Sequence, residues 1–228
     1  MNAWFEKLNE TFIESGLYGL LFEGLGNTLI ITLGALIIGV VIGALIAIAK
    51  YFAEDIPALK PVAWFCDLYV TVIRGIPVVV LLLIFYYVIM QAAEGVVVGI
   101  ITFGINSGAY MAEIIRGGIN AVDRGQMEAG RSLGMSKLQT MYKIILPQAI
   151  RNILPAIGNE FIALLKETSV AGYVAVIDLT RAGNLIRNNT FDAVNPLMVV
   201  ALTYLVMVIL LTWVLSMVER RLAKSDKR

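Results

Sequence analysis

The sequence predicts an all-α integral membrane protein of five transmembrane helices, and three observations carry that prediction. First, 59% of the 228 residues are hydrophobic and 15% are charged, with a mean hydropathy of +0.81. A soluble domain usually carries about 25% charge. Second, the uncharged residues are gathered into runs: 24–49, 75–93, 95–112 and 193–218 contain no Asp, Glu, Lys or Arg. A helix needs about 20 such residues to cross the hydrocarbon core. Third, the remaining charges fall between the runs with a consistent pattern of sign.

The chain reads in order from an external or interfacial segment, 1–23. Trp4, Phe5, Leu8, Phe12 and Ile13 recur near helical spacing with acids between them, as in a short helix lying in the outer interface. No basic stretch precedes an apolar run here, so the segment is not read as a cleavable signal. The transmembrane domain follows over 24–218. Its expected spans are 28–49, a long or bent 62–90, 95–115, a short 153–166 extended a little, and 195–218. Gly39 and Gly43 in the first span, and Gly104, Gly108 and Ala112 in the third, are small residues at four-residue spacing. Such faces let helix backbones approach closely in lipid.

Loop charge sets the orientation. The loop 116–152 carries Arg116, Arg124, Arg131, Lys137, Lys143 and Arg151 against Asp123 and Glu128. The tail 219–228 carries Arg220, Arg221, Lys224, Lys227 and Arg228 against Glu219 and Asp226. Both are expected in the cytoplasm. Lys7 stands against Glu6, Glu10, Glu14 and Glu23 before the first span, so the N-terminus is expected outside. An odd number of spans satisfies both ends.

The loop 116–152 also has a structure legible in its residues. Asp123 with Gln126, and Ser136 with Gln139, have the spacing of capping boxes. Gly134 stands between them, where a helix ends in the left-handed conformation. Pro147 resists continuation of a helix. Two short helices are expected, near 124–133 and 137–146, joined by a tight turn: either a docking surface or a linker.

At this point the chain resembles a known family. Glu128-Ala129-Gly130, three residues, Gly134, nine residues, then Ile144-Ile145-Leu146-Pro147 is similar to the EAA motif of bacterial ABC importer permeases, with Gly130 in place of the second Ala. Arg74-Gly75-Ile76-Pro77, residues 106–119, Gly158 to Phe161, Leu164 to Ser169, and Leu179-Thr180-Arg181-Ala182 resemble the polar amino acid branch of that family. The likeness covers roughly residues 20–222. Thr71 departs from it, standing where the family often has Glu. The resemblance implies a type I importer (MetI-like) fold with five core helices per subunit. It also implies pairing with a second permease subunit, two ATPase subunits beneath, and an extracytoplasmic solute-binding protein. It places the ATPase contact at Glu128, Ala129, Gly130, Arg131 and Gly134.

The chain contains no Walker A pattern, G-x-x-x-x-G-K-[ST], so the cradle for ATP and magnesium is expected on the separate ATPase. Neither cofactor is expected on this chain. Asp67, Arg74, Glu113, Glu160 and Lys166 lie within or at the edges of spans, where a charge at helix centre costs about 2.5–3.5 kcal/mol. Pairing or snorkelling accounts for Asp67, Arg74 and Lys166. Glu160, beside Asn159 in the short fourth span, is the leading candidate to accept a substrate ammonium or guanidinium. Asn106 and Ser107 are expected to complete the site, with Glu113 a lesser candidate nearer the cytoplasm. The excess of acids leans toward basic amino acids.

The chain has no histidine, which removes the commonest general base, metal ligand and pH switch. Cys66 is the single cysteine, so no disulfide forms within the chain. A net charge of +1 argues against a polyanion-binding surface. A secondary amino acid transporter and a non-transport membrane scaffold are the alternatives. The first usually needs internal repeats, and none is found. The second leaves the polar residues at depth without purpose. A membrane enzyme lacks a metal cluster or a nucleophile-base pair.

Overall fold

The computed structural model of the chain describes residues 2–54 and 56–225, and within them all regular structure is helical. The side chains of Trp4, Phe5 and Lys224, and residues Asp226, Lys227 and Arg228, on which the interfacial face and the basic tail partly rest, lie outside the described residues.

Helix α1 (Asn2–Asn9) passes through a π-turn at Glu10–Glu14 and a turn at Gly16 into α2 (Tyr18–Ala53). Next come α3 (Lys60–Gly75) and α4 (Val78–Ile84), separated at Ile76 and Pro77. Pro77 caps α4, accepting from the backbone N–H groups of Val80 and Leu81. Because a proline disfavours helical backbone in the residue before it, the expected long second span is broken there. Helix α5 (Gly95–Asn120) precedes the hairpin of α6 (Arg124–Ser132) and α7 (Lys137–Thr140). A π-turn at Met141–Ile145 leads into α8 (Leu146–Glu167), and a 3₁₀ stretch at Thr168–Val174 into α9 (Leu179–Thr190) and α10 (Asn195–Ser225).

Helices α2, α5 and α10 (over Asn195–Leu222) are long and apolar enough to cross a bilayer, and α3 and α4 reach that length only together, across a bend of 105° that makes them either a broken span or a re-entrant loop. The expected span at 153–166 lies in α8, which is not among them. Arg151, Pro155, Glu160 and Lys166 interrupt its apolar run. Leu179 to Ala182 begin a helix. Asp178 accepts from the N–H groups of Thr180 and Arg181, so these residues form the first turn of α9. Burial pushes the Asp178 carboxyl above its ordinary value against those same bonds.

The contacts divide into two compact units. One comprises Met1–Ile37, Ile76–Gly104 and Ile162–Thr212. Its core gathers Ile31, Ala35, Leu82, Val98, Phe103, Leu164 and Val174. Ile31 meets Gly99, and Gly34 meets Ile100, at separations that leave a Cβ little room. The N-terminal segment is fastened here: the Thr11 hydroxyl donates to Asp192 at 3.0 Å, and Asp192 also accepts from the backbone of Val194 and Asn195 and the Asn195 amide. Burial raises the Asp192 carboxyl, but these donors together outweigh it and hold the group below the ordinary carboxylate range.

The second unit comprises Ile38–Gly75, Ile105–Phe161 and Trp213–Arg228. In it α2 and α5 approach along small residues. A Cβ on Gly39 would stand 2.8 Å from Ser107 Oγ, and one on Gly43 2.8 Å from the Ala112 nitrogen. One cluster joins Ile46, Val70, Ala109 and Ala112; another joins Val122, Ile145, Ala149 and Ile153. Only 6% of the apolar window of α10 is buried, which leaves Leu205, Ile209, Leu210 and Trp213 for lipid or a second chain.

Candidate functional site

Two features of the second unit carry chemistry: a polar pair among apolar helices, and the hairpin. Ser107 is fully buried on α5, held under Gly39 of α2, and donates its hydroxyl to Glu160 of α8 at 2.9 Å. The close α2–α5 approach therefore fixes the donor that orients the carboxylate. Pro155, one turn before Asn159, removes a backbone N–H from α8. Glu160 is half-buried, and among the described residues it forms no ion pair within 4.0 Å. A carboxylate steadied by one hydroxyl and lacking a resident cation suits the transient acceptance of an ammonium or guanidinium.

The other expected site residues fall differently. Asn106 is buried beside Ser107. Asn159 is exposed and, as the neighbour of Glu160, occupies a different helix face. Glu113 is not part of this pair. Six residues beyond Ser107, about 9 Å along α5, it is bonded to Arg116 at 2.6 Å and lies 4.0 Å from Arg74. Arg74 also stands over the Tyr110 ring at 5.1 Å, and Lys50 pairs with Asp67 at 2.5 Å. Pairing thus accounts for Asp67, Arg74 and Glu113. Lys166 is exposed.

The hairpin forms with its expected turn. Gly134 has φ +83. Its N–H donates to the Arg131 carbonyl, and the Met135 N–H to that of Gly130, the two bonds of a Schellman ending. Ser136 and Gln139 form a reciprocal capping box. Asp123 caps α6 by accepting from the Gly125 N–H at 2.6 Å, two residues on, rather than through the expected box. The expected end at Pro147 is corrected, since the chain runs on into α8. The π-turn makes this possible: the Leu146 N–H reaches back to the Met141 carbonyl, and the missing N–H of Pro147 falls in the first turn of the next helix.

Glu128, Ala129 and Arg131 are exposed on α6, together with Leu133, Leu138 and Tyr142 at 81%, 57% and 70% exposure. Apolar side chains this open on a capped hairpin are available for contact. Gly130 differs: it is buried, and a Cβ there would meet Thr140 at 2.5 Å. Its smallness closes the hairpin on itself and is not offered to a partner. Sequence reasoning missed the tie between this hairpin and α2. Lys137 Nζ lies 3.2 Å from Glu54 and 5.0 Å from the Tyr51 ring centroid. With the partners 83 positions apart in the chain, no local pattern announces it.

The family described as binding-protein-dependent transport system inner membrane component matches residues 39–224. The chain is 36% identical over 210 residues to the arginine transport system permease protein ArtQ of Bacillus subtilis (strain 168), covering 90% of this chain and 94% of that protein. It is 35% identical over 212 residues to the glutamine transport system permease protein GlnP of Escherichia coli (strain K12), covering 89% and 93%. Among solved structures it is similar to one described as a crystal structure of an amino acid ABC transporter with histidines. That match has a TM-score of 0.84 and 42% identity, over 91% of this chain and 96% of that one.

Proposed function

This chain belongs to the family of binding-protein-dependent transport system inner membrane components, and on that premise we propose that it is the permease subunit of an ATP-binding cassette importer for polar, and preferentially basic, amino acids. The observation that carries the reading is the hairpin: two capped helices on a Schellman turn, with Glu128, Ala129, Arg131 and Leu133 open on the surface. A rigid element seated in an ATPase transmits nucleotide-driven closure, whereas a flexible loop would absorb it.

In this reading α8 is the fifth core span, the N-terminus is outside and the hairpin is cytoplasmic, in keeping with the loop charges. The transmembrane domain is 24–218, with its coupling loop at 116–152. A second permease subunit, favoured as another copy of this chain, completes the pathway. ATP and magnesium sit on the partner ATPase, and a solute-binding protein delivers substrate from outside. Glu160, steadied by Ser107, takes the substrate cation, with the buried Asn106 next to Ser107 on α5; Asn159, on a different face of α8, stands outside the site. The names of the relatives, arginine for one and glutamine for another, support a polar amino acid; the preference for a basic one rests on Glu160.

The test is Glu128→Arg with the ATPase co-expressed. ATP-dependent uptake falls at least about tenfold, the loss of one charge-assisted contact, while the permease still inserts at its normal level. Unchanged uptake contradicts the assignment.

A further inference from the structure

The second unit holds a crevice of about 370 Å³ that the reading above does not use, at the small end of ligand clefts, which run about 300–1,000 Å³. Its floor is apolar, with Ile46, Ala47, Val70 and Ala112. Its rim carries both signs: Lys50 and Arg116 against Glu54 and Glu113.

Two of these rim groups are held loosely. Lys50 pairs with Asp67, which is 59% exposed, and Glu54 pairs with Lys137 while itself 68% exposed. Exposed pairs contribute little, so an incoming ion of matching sign can replace either partner at small cost. One exchangeable cation, Lys50, and one exchangeable carboxylate, Glu54, above an apolar floor suit a small molecule that carries both charges and joins an apolar body. They suit neither a metal ion nor a polyanion.

The flank of the crevice indicates where that molecule comes from. Ala63 of α3 lines the crevice, and on the same helix Trp64 and Phe65 are 59% and 63% exposed, stacked edge to face at 4.9 Å. Val62 and Leu68 are exposed beside them. Exposed indole and apolar side chains next to charged groups mark the membrane–water interface.

We propose that this crevice binds the aminophosphate headgroup of a phospholipid of the phosphatidylethanolamine class. Its phosphate faces Lys50, its primary ammonium faces Glu54, the Arg116–Glu113 pair stays closed as a fixed part of the rim, and its acyl chains run along the exposed surface of α3. The inference rests on the membrane reading above but not on ATPase coupling. A free amino acid shares the charge pattern and lacks the chains.

Native mass spectrometry of the full-length permease, titrated with phosphatidylethanolamine, phosphatidylcholine and phosphatidylglycerol, tests this without any transport readout. Phosphatidylethanolamine is retained about tenfold better than phosphatidylcholine, whose methylated nitrogen has no N–H to donate, and better than phosphatidylglycerol, which has no ammonium. Lys50→Gln and Glu54→Gln each reduce that preference. Lys50→Arg preserves it, as does Lys60→Gln, and circular dichroism confirms that each variant is folded. Equal retention of the three lipids, or preference unchanged in both Gln variants, overturns the proposal. So does displacement of the lipid by free amino acid at equal potency.

Discussion

At the scale of single residues, the polar groups at depth separate by what they touch. Asp67, Arg74 and Glu113 are taken up in ion pairs, while Glu160 has a hydroxyl donor and no paired cation among the described residues. A half-buried carboxylate without a counter-ion is unfavourable inside a membrane, where such residues mark pathways for ions and substrates. Glu160→Gln keeps the shape and removes the charge. Basic amino acid uptake then falls about tenfold to a hundredfold, in line with about 1.5–3 kcal/mol for a hydrogen bond to a charged group, and co-purification with the ATPase is unchanged. Equal uptake in both forms removes Glu160 from the site. The sequence made Glu160 visible because a carboxylate in an apolar run is conspicuous by itself. It could not show that Ser107, 53 residues away, supplies the donor, or that Gly130 packs inward against Thr140. Both depend on which faces meet.

At the scale of elements, two devices let awkward residues into long helices. The π-turn before α8 carries the chain past Pro147, and the break at Ile76 and Pro77 turns one expected span into two helices. Proline placed both features in the sequence, but its local preference does not distinguish a helix end from a detour. The α2–α5 approach was legible as a four-residue repeat of small residues, since lipid offers no hydrophobic drive and close packing must hold helices together. Its strength is testable. Gly43→Val brings a side chain against Met111 and the Ala112 backbone and destabilises by about 1–3 kcal/mol, as overpacking does. Gly26, with nothing within 4 Å of an added Cβ, tolerates Ala. Thermal denaturation in detergent checks the pair, and equal melting of Gly43→Val and Gly26→Ala contradicts this packing.

At the scale of the whole molecule, three of the expected spans and the hairpin were legible because each is local: apolar length for one, caps and a left-handed glycine for the other. The contacts that join remote segments were not. Thr11 to Asp192, Asn27 to Ile177 and Lys137 to Glu54 join residues 181, 150 and 83 positions apart. The proposed importer needs the hairpin to face the ATPase, and so needs residues 123–147 in the cytoplasm. That claim is tested most directly with Cys66 replaced by Ala and Ser132, exposed on α6, replaced by Cys. A membrane-impermeant maleimide labels this variant in inside-out vesicles and leaves it unlabelled in intact spheroplasts if the account holds. Labelling in intact spheroplasts would contradict it.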